Sequence, residues 1–323
     1  IGQFRKRFGA LGDISNAEPV IVTPPDRNYI DTTDPGYSSF KNTYKPVRSS
    51  SAGTCASTGR STAVVAPAND GMVHVFDAGP MPLRAEAGCS AVSTTSGGGT
   101  ELFAFIPKAL FRGTAGNAAT EDITAIQALS YQDGGVPIYH HHFYVDSSPR
   151  VADVDFNNGV GSPDWHTIVV GGLGKGGNSY YALDVTDLAS VPDEATAASK
   201  IMWEWTNADI RYTYGRPVIV KVRDAAYPTG RWVVIVTASY NNVSGLGKVF
   251  FLDAHTGTLL STVSTSAGSP ASPSGLAQIH AFVANENNQV AEQIYGGDLE
   301  GNLWRIDVSA SDQYKTATAE EAV

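Results

Sequence analysis

One short frame occurs three times in this chain, and a fourth time with one residue added. Gly71-Met72-Val73-His74-Val75-Phe76-Asp77-Ala78, Gly247-Lys248-Val249-Phe250-Phe251-Leu252-Asp253-Ala254 and Gly301-Asn302-Leu303-Trp304-Arg305-Ile306-Asp307-Val308 share it. Each reads glycine, two residues, a residue of aromatic size, one residue, a large apolar residue, aspartate, then alanine or valine. The longer copy starts at Gly177 and ends Tyr180-Tyr181-Ala182-Leu183-Asp184-Val185. An apolar segment precedes every copy, at 63–66, 167–170, 232–237 and 293–295. Successive side chains of a strand point to opposite faces, and glycine tolerates the backbone angles of a tight reversal, so each unit reads as an antiparallel hairpin. A hairpin recurring at irregular spacing predicts an all-β fold, a modified β-propeller with long loop insertions. The competing reading is a set of unrelated glycine-rich hairpins in another all-β fold.

The 323 residues are read as a single propeller domain, 1–323. Segment 1–60 is expected to be a loosely organised entry, because Pro24-Pro25, Pro35-Gly36 and Ser49-Ser50-Ser51-Ala52-Gly53 are turn signals. Within it, Val20-Ile21-Val22 is the one clear strand and should complete a blade with residues from elsewhere. Residues 101–107 should add a strand to the first hairpin across an insertion, and the alanine-rich stretch 110–129 is the best place for a short helix or an irregular excursion. A polar tail, 309–323, shows no further blade.

The formal charge of −10 argues against a nucleic-acid partner, since phosphate binding needs clustered Lys and Arg. No run of about eighteen apolar residues exists, so no segment is expected to span a membrane as a helix. The chain opens at Ile1 without a methionine, as a fragment or a mature product would. Cys55 and Cys89 both lie in Ser/Gly/Thr-rich stretches, which fits a disulfide formed in an oxidising compartment.

Several stretches invite a chemical reading. In 151–159, Asp153, Asp155 and Asn157 alternate before Gly159, and Asp164 stands twelfth counting from Asp153. Calcium takes about six to eight oxygens from carboxylates, amides and carbonyls, which such a loop can offer; the alternative is a polar hairpin between two strands. Three consecutive histidines, His140, His141 and His142, suggest a metal, but neighbours on a strand face opposite ways and no carboxylate sits at matching spacing. Gly171-Gly172-Leu173-Gly174-Lys175-Gly176-Gly177 looks like a phosphate loop, yet no Ser or Thr follows the lysine and no helix is indicated. A blade turn accounts for it better.

Taken together, 293–308, Ala68-Asn69-Asp70-Gly71-Met72, 102–107 and Val169-Val170-Gly171-Gly172-Leu173-Gly174 resemble the carboxy-terminal propeller of the PilC/PilY family of type IV pilus biogenesis factors, over about 12–308. The resemblance implies a quinoprotein-like propeller of about seven blades in a secreted or surface protein of the periplasm, outer membrane or pilus. It implies contact with minor pilins or the pilus tip and with a host or surface receptor, and roles in pilus assembly against retraction, adhesion and twitching motility. The family's calcium loop, Asp-x-Asp-x-Asp-x-x-x-Asp before the last hairpin, falls on Ala284, Glu286, Asn288 and Glu292. One ligand is missing and one is an amide, so calcium should bind there weakly or not at all.

No catalytic residues are assigned, and a non-enzymatic role is expected. A periplasmic quinoprotein dehydrogenase is the alternative, although the chain lacks an adjacent cysteine pair and a Cys-x-x-Cys-His. No Gly-x-Ser-x-Gly elbow supports a hydrolase. A third reading is an adhesion propeller unrelated to pili.

Overall fold

The computed structural model describes residues 9, 11–45, 47–51, 54–79, 98–112, 126, 129, 141–188 and 191–322. Sixteen strands of the described residues form four antiparallel sheets of four. The first contains β1 (Val20–Val22), β4 (Thr62–Pro67), β5 (Val73–Gly79) and β6 (Glu101–Phe105), in that order. Between β1 and β4 lie helix α1 (Tyr37–Tyr44) and a separate hairpin of β2 (Val47–Ser51) and β3 (Thr54–Thr58). The second sheet is a meander of β7 (Arg150–Asp155), β8 (Trp165–Gly172), β9 (Ser179–Asp184) and β10 (Ile201–Thr206), with helix α2 (Glu194–Ala198) before its last strand. The third runs β11 (Val218–Asp224), β12 (Tyr227–Thr237), β13 (Lys248–Asp253), β14 (Leu259–Ser264). The fourth runs β15 (Ile279–Val283), β16 (Ala291–Gly297), β17 (Leu303–Asp307), β18 (Ala319–Glu321).

Each copy of the repeated frame supplies the two middle strands of one sheet: β4–β5, β8–β9, β12–β13 and β16–β17. The motif aspartate, at the end of its hairpin strand, pairs each time with a residue of the preceding strand: Ala63↔Asp77, Ile168↔Asp184, Val233↔Asp253, Gln293↔Asp307. The four copies thus account for the four sheets among the described residues, where the family likeness implied about seven blades. Gly71 and Gly301, equivalent in the frame, both turn at φ +91°, a region open to glycine and strained for other residues.

The sheets are arranged as propeller blades. Their first strands are neighbours in turn, β1 beside β7, β7 beside β11 and β11 beside β15. Alternate residues of a middle strand then face different neighbouring sheets. Along β12, Trp232, Val234 and Val236 join the apolar layer between the second and third sheets, while Val233 and Ile235 join that between the third and fourth. Along β9, Tyr180 and Ala182 face the third sheet, while Tyr181 and Leu183 face the first. Both faces being buried, these strands read as nearly continuous apolar runs. Burial of Tyr180 and Tyr181 also raises both phenol pKa values.

The motif aspartates close the turn after each strand. Asp77, Asp184, Asp253 and Asp307 each accept the N–H two residues on, from Gly79 at 2.8 Å, Thr186 at 2.9 Å, His255 at 3.1 Å and Ser309 at 2.9 Å. Short carboxylates make such turns because the side chain reaches its own backbone two residues later.

Two segments carry more order than their turn-rich or polar composition suggests. In the entry segment, α1 starts after Gly36 and packs Tyr37, Phe40 and Tyr44, one helical face, toward the aromatic layer beside Trp165. In the tail, β18 pairs with β17, and Tyr314 is buried with its hydroxyl donating to Asp224 at 2.7 Å. The tail is therefore the outer strand of the fourth sheet. Segment 110–129 is largely outside the described residues; a 3-10 turn at Lys108–Arg112 covers its start.

His166 illustrates how these turns respond to pH. Its ring stacks on Phe156 at 4.1 Å, which stacks in turn on His255 at 4.1 Å. Nδ1 lies 2.8 Å from Asp184 and Nε2 3.2 Å from Asp164. Burial alone would lower the imidazole pKa, but these two carboxylates outweigh it and the value is raised above the ordinary 6.5. The protonated ring therefore stabilises the fold fully below pH 6.5, and the contribution is lost as pH rises through the elevated folded value. Unfolding free energy measured in urea from pH about 6 to about 9 is expected to fall more steeply for the native chain than for His166→Gln; equal slopes would refute the assignment.

Candidate functional site

A cleft of about 1170 Å³ opens along the inner strands, between Arg150–Ala152 of β7, residues 216–220 of β11 and 278–283 of β15. Arg27, Tyr29, Glu286, Gln289 and Tyr295 complete its wall. Its charged lining is three arginines, Arg27, Arg150 and Arg216, against one glutamate, in a chain of net charge −10. Arg27 and Arg150 are exposed, and Arg216 pairs with Glu18 at 2.5 Å. Positive charge in a concave wall of an acidic protein favours an anionic or acidic surface as its occupant.

A buried polar network lies where the entry segment meets the second and third sheets. Asp153 is 5% exposed and accepts the Tyr37 hydroxyl at 2.7 Å and the Thr167 hydroxyl at 2.7 Å. The Tyr37 oxygen in turn accepts the Arg27 N–H at 2.9 Å. Arg60 donates to Thr167 at 2.7 Å and to the carbonyls of Thr186 and Thr23. Burial raises the Asp153 carboxyl pKa, with the two hydroxyls, Arg60 and Arg27 opposing. Alongside, Lys221 Nζ sits 2.7 Å from Asp34, both buried.

The residues singled out for calcium have other partners. Asp155 accepts N–H groups from Asn157 at 3.1 Å, Gly159 at 2.7 Å and Asp164 at 2.9 Å, closing the turn between β7 and β8. Asn157 donates to the Ser162 carbonyl at 2.7 Å, and Asp164 faces His166. Asp153, two residues before Asp155, belongs instead to the Tyr37 network. In the second loop Glu286 is exposed, Asn288 accepts the Val290 N–H at 3.1 Å, and Glu292 lies 3.6 Å from Arg223. Among the described residues, no three His, Cys, Asp or Glu side chains converge to hold a metal. Residues 155–164 form a polar turn that joins β7 to β8.

His140 lies outside the described residues, and His141 contacts Asp13 at 2.9 Å. Cys55 falls on β3 while Cys89 lies outside the described residues, so the expected disulfide does too. The glycine run 171–177 ends β8 and forms the turn toward β9. The Leu173 and Gly174 N–H groups donate to the fully buried Thr213 hydroxyl at 2.7 and 3.1 Å, and no helix follows. Among the described residues no helix is long and apolar enough to cross a membrane.

Asp34, Lys221, Tyr37 and Arg60 were not foreseen as a cluster. Lys221 carried a signal: it interrupts the apolar run Val218-Ile219-Val220-Lys221-Val222, where a buried strand admits a charge only with a partner. Nothing local pointed to Asp34 as that partner.

Residues 11–323 match the family model described as the PilY1 beta-propeller domain. The type IV pilus biogenesis factor PilY1 of Pseudomonas aeruginosa is 31% identical over 95% of this chain, which spans 21% of that protein. A PilY1 homolog of Xylella fastidiosa is 28% identical over 98% of the chain and 18% of its own length. The crystal structure of the Pseudomonas aeruginosa PilY1 C-terminal domain superposes with a TM-score of 0.57 at 28% identity, covering 88% of this chain and 45% of that one. The chain thus spans about a fifth of the length of the curated relatives it matches. With its four hairpin-centred sheets and a family match from residue 11 to 323, the chain belongs to the PilY1 β-propeller domain family.

Proposed function

We propose that this domain serves type IV pilus biogenesis as a non-enzymatic, partner-binding propeller, held at the cell envelope or surface in association with the pilus. The observation that carries this reading is the likeness to proteins named type IV pilus biogenesis factors over nearly the whole chain. Support of pilus assembly against retraction, adhesion and twitching motility belong to the same proposal, with minor pilins or the pilus tip, and a host or surface receptor, as partners. The arginine-lined cleft is the docking surface this reading favours, for an acidic segment of a pilin.

The test replaces the chromosomal copy with Arg27→Glu/Arg150→Glu. Both side chains are exposed, so folding should survive while surface piliation and twitching fall, with binding that weakens as salt rises. Normal piliation in a strain deleted for the whole segment would overturn the pilus assignment. Normal piliation in the double variant alone would overturn the cleft.

For calcium we propose the weak limit. A ligand that binds only the folded state adds about 4 kcal/mol of stability at a thousand-fold excess over its dissociation constant. With Asp155 and Asn288 accepting backbone N–H groups, Asp164 facing His166 and Glu292 beside Arg223, calcium at about 1 mM should move the unfolding midpoint by less than about 1 °C. A larger shift, reversed by chelator, would restore a calcium site.

A further inference from the structure

We propose that Lys221 and Asp34 become joined by a covalent amide bond inside the folded domain. The two side chains come from positions 187 residues apart, yet Lys221 Nζ lies 2.7 Å from Asp34 Oδ1. They are 1% and 2% exposed. Both are held by fixed backbone. The Asp34 N–H donates to the Ile30 carbonyl at 2.8 Å, and the Lys221 N–H to the Gln289 carbonyl at 2.8 Å. Across from Nζ is the Trp232 ring at 5.5 Å, and Tyr29, Tyr37 and Trp165 fill the same aromatic layer.

This setting suits condensation better than a salt bridge. Burying two charges costs more than their attraction returns unless further hydrogen bonds satisfy them. Burial pushes the Asp34 carboxyl up, against the pull of Lys221. It pushes the Lys221 ammonium down, against the pull of Asp34. Both shifts favour a neutral amine beside a neutral acid, the one combination in which nitrogen has a lone pair and carbon a displaceable hydroxyl. Free lysine and aspartate in water hold neither form at neutral pH.

The step balances without any further reagent. The Nζ lone pair attacks Asp34 Cγ and a C–N bond forms. A proton leaves nitrogen for the departing oxygen, the C–O bond breaks, and one water is released. The retained oxygen is the one already held by the Thr33 hydroxyl, which donates to Asp34 Oδ2 at 2.9 Å. A third carboxylate, Asp155, is close enough for its charge to act on both groups. The product replaces two buried charges by a neutral amide and ties the entry segment to the third sheet.

The inference stands independently of the pilus reading. The purified full chain, kept folded at neutral pH and then denatured, is weighed by intact mass spectrometry and digested with trypsin. The expected mass is one water below the sequence sum, with a branched species joining the peptides of Asp34 and Lys221 and no cleavage after Lys221. Lys221→Arg, which keeps the charge but not the amine, should show the full mass, as should Asp34→Ala. An unmodified native mass with free cleavage at Lys221, or a water loss mapped to other residues, would overturn the proposal. The native-chain measurement decides even where a variant fails to fold.

Discussion

Replacing Trp165 by alanine is expected to lower the free energy of unfolding by about 3–5 kcal/mol, the range for losing a buried aromatic. Trp165 opens β8 and is 7% exposed. Its ring meets Tyr37 edge-on at 4.9 Å, and Tyr29, Phe40 and Trp232 lie at 5.9, 6.3 and 6.2 Å. Its indole N–H donates to the Pro35 carbonyl at 2.8 Å. One side chain therefore joins three parts: the entry segment, the second sheet and the third sheet. Alanine leaves a cavity among rigid rings that cannot collapse, and it strips the Pro35 carbonyl of its donor. Trp165→Phe keeps most of the apolar volume but not the N–H, so about 1–2 kcal/mol should be lost. Leu303→Ala, on a side chain 48% exposed, should stay within about 0.5 kcal/mol. Urea unfolding at equilibrium measures all three. A loss below about 1 kcal/mol for Trp165→Ala would mean the layer is looser than the ring geometry shows.

The blades were legible because their pattern is local. Glycine, alternating bulk and a closing aspartate lie within eight residues, and the turn chemistry at Asp77 or Asp307 needs nothing from elsewhere. The strand at Val20–Val22 was also legible, though not its partner, since pairing with β4 spans about forty residues of intervening chain. Order in the entry segment was not. Its prolines and Gly36 punctuate the chain correctly, but what fixes α1 is Tyr37 meeting Trp165, a contact across the sequence. The same holds for the tail, where Tyr314 finds Asp224. The alternating acids 153–157 show what spacing leaves open. Period-2 spacing puts Asp153 and Asp155 on one strand face, but Asp153 lies inside β7 and Asp155 is its last residue. Asp153 is drawn into the buried Tyr37 network and Asp155 into a turn. Spacing alone cannot distinguish carboxylates that converge on a cation from carboxylates that accept N–H groups.

The four motif aspartates should not cost the same to remove, and Asp253→Ala should cost the most, about 3 kcal/mol. Asp253 Oδ1 accepts the His255 N–H at 3.1 Å, the Thr256 N–H at 2.9 Å and the Thr256 hydroxyl at 3.0 Å. Its other oxygen accepts from Arg231 through Nη2 at 2.9 Å and Nε at 3.2 Å. The residue is 7% exposed and the Arg231 side chain only 20%, so alanine leaves a half-buried cation whose remaining carboxylate, Asp224, is 3.7 Å away. Asn at this position keeps an acceptor for the turn but loses the charge facing Arg231, which should cost about 1–2 kcal/mol. At Asp184 the turn bond is reinforced by the Thr186 hydroxyl at 2.5 Å and by His166, so the loss should be intermediate. Among the described residues the Asp77 carboxylate accepts one turn bond, from Gly79, and the Asp307 carboxylate one backbone N–H, from Ser309, so alanine should cost about 1 kcal/mol at each. The order Asp253, then Asp184, then Asp77 and Asp307 together is the sharp outcome. Equal losses at all four would mean that the carboxylate acts only as a turn cap. They would also mean that the Arg231 pair contributes nothing to holding β12 against β13.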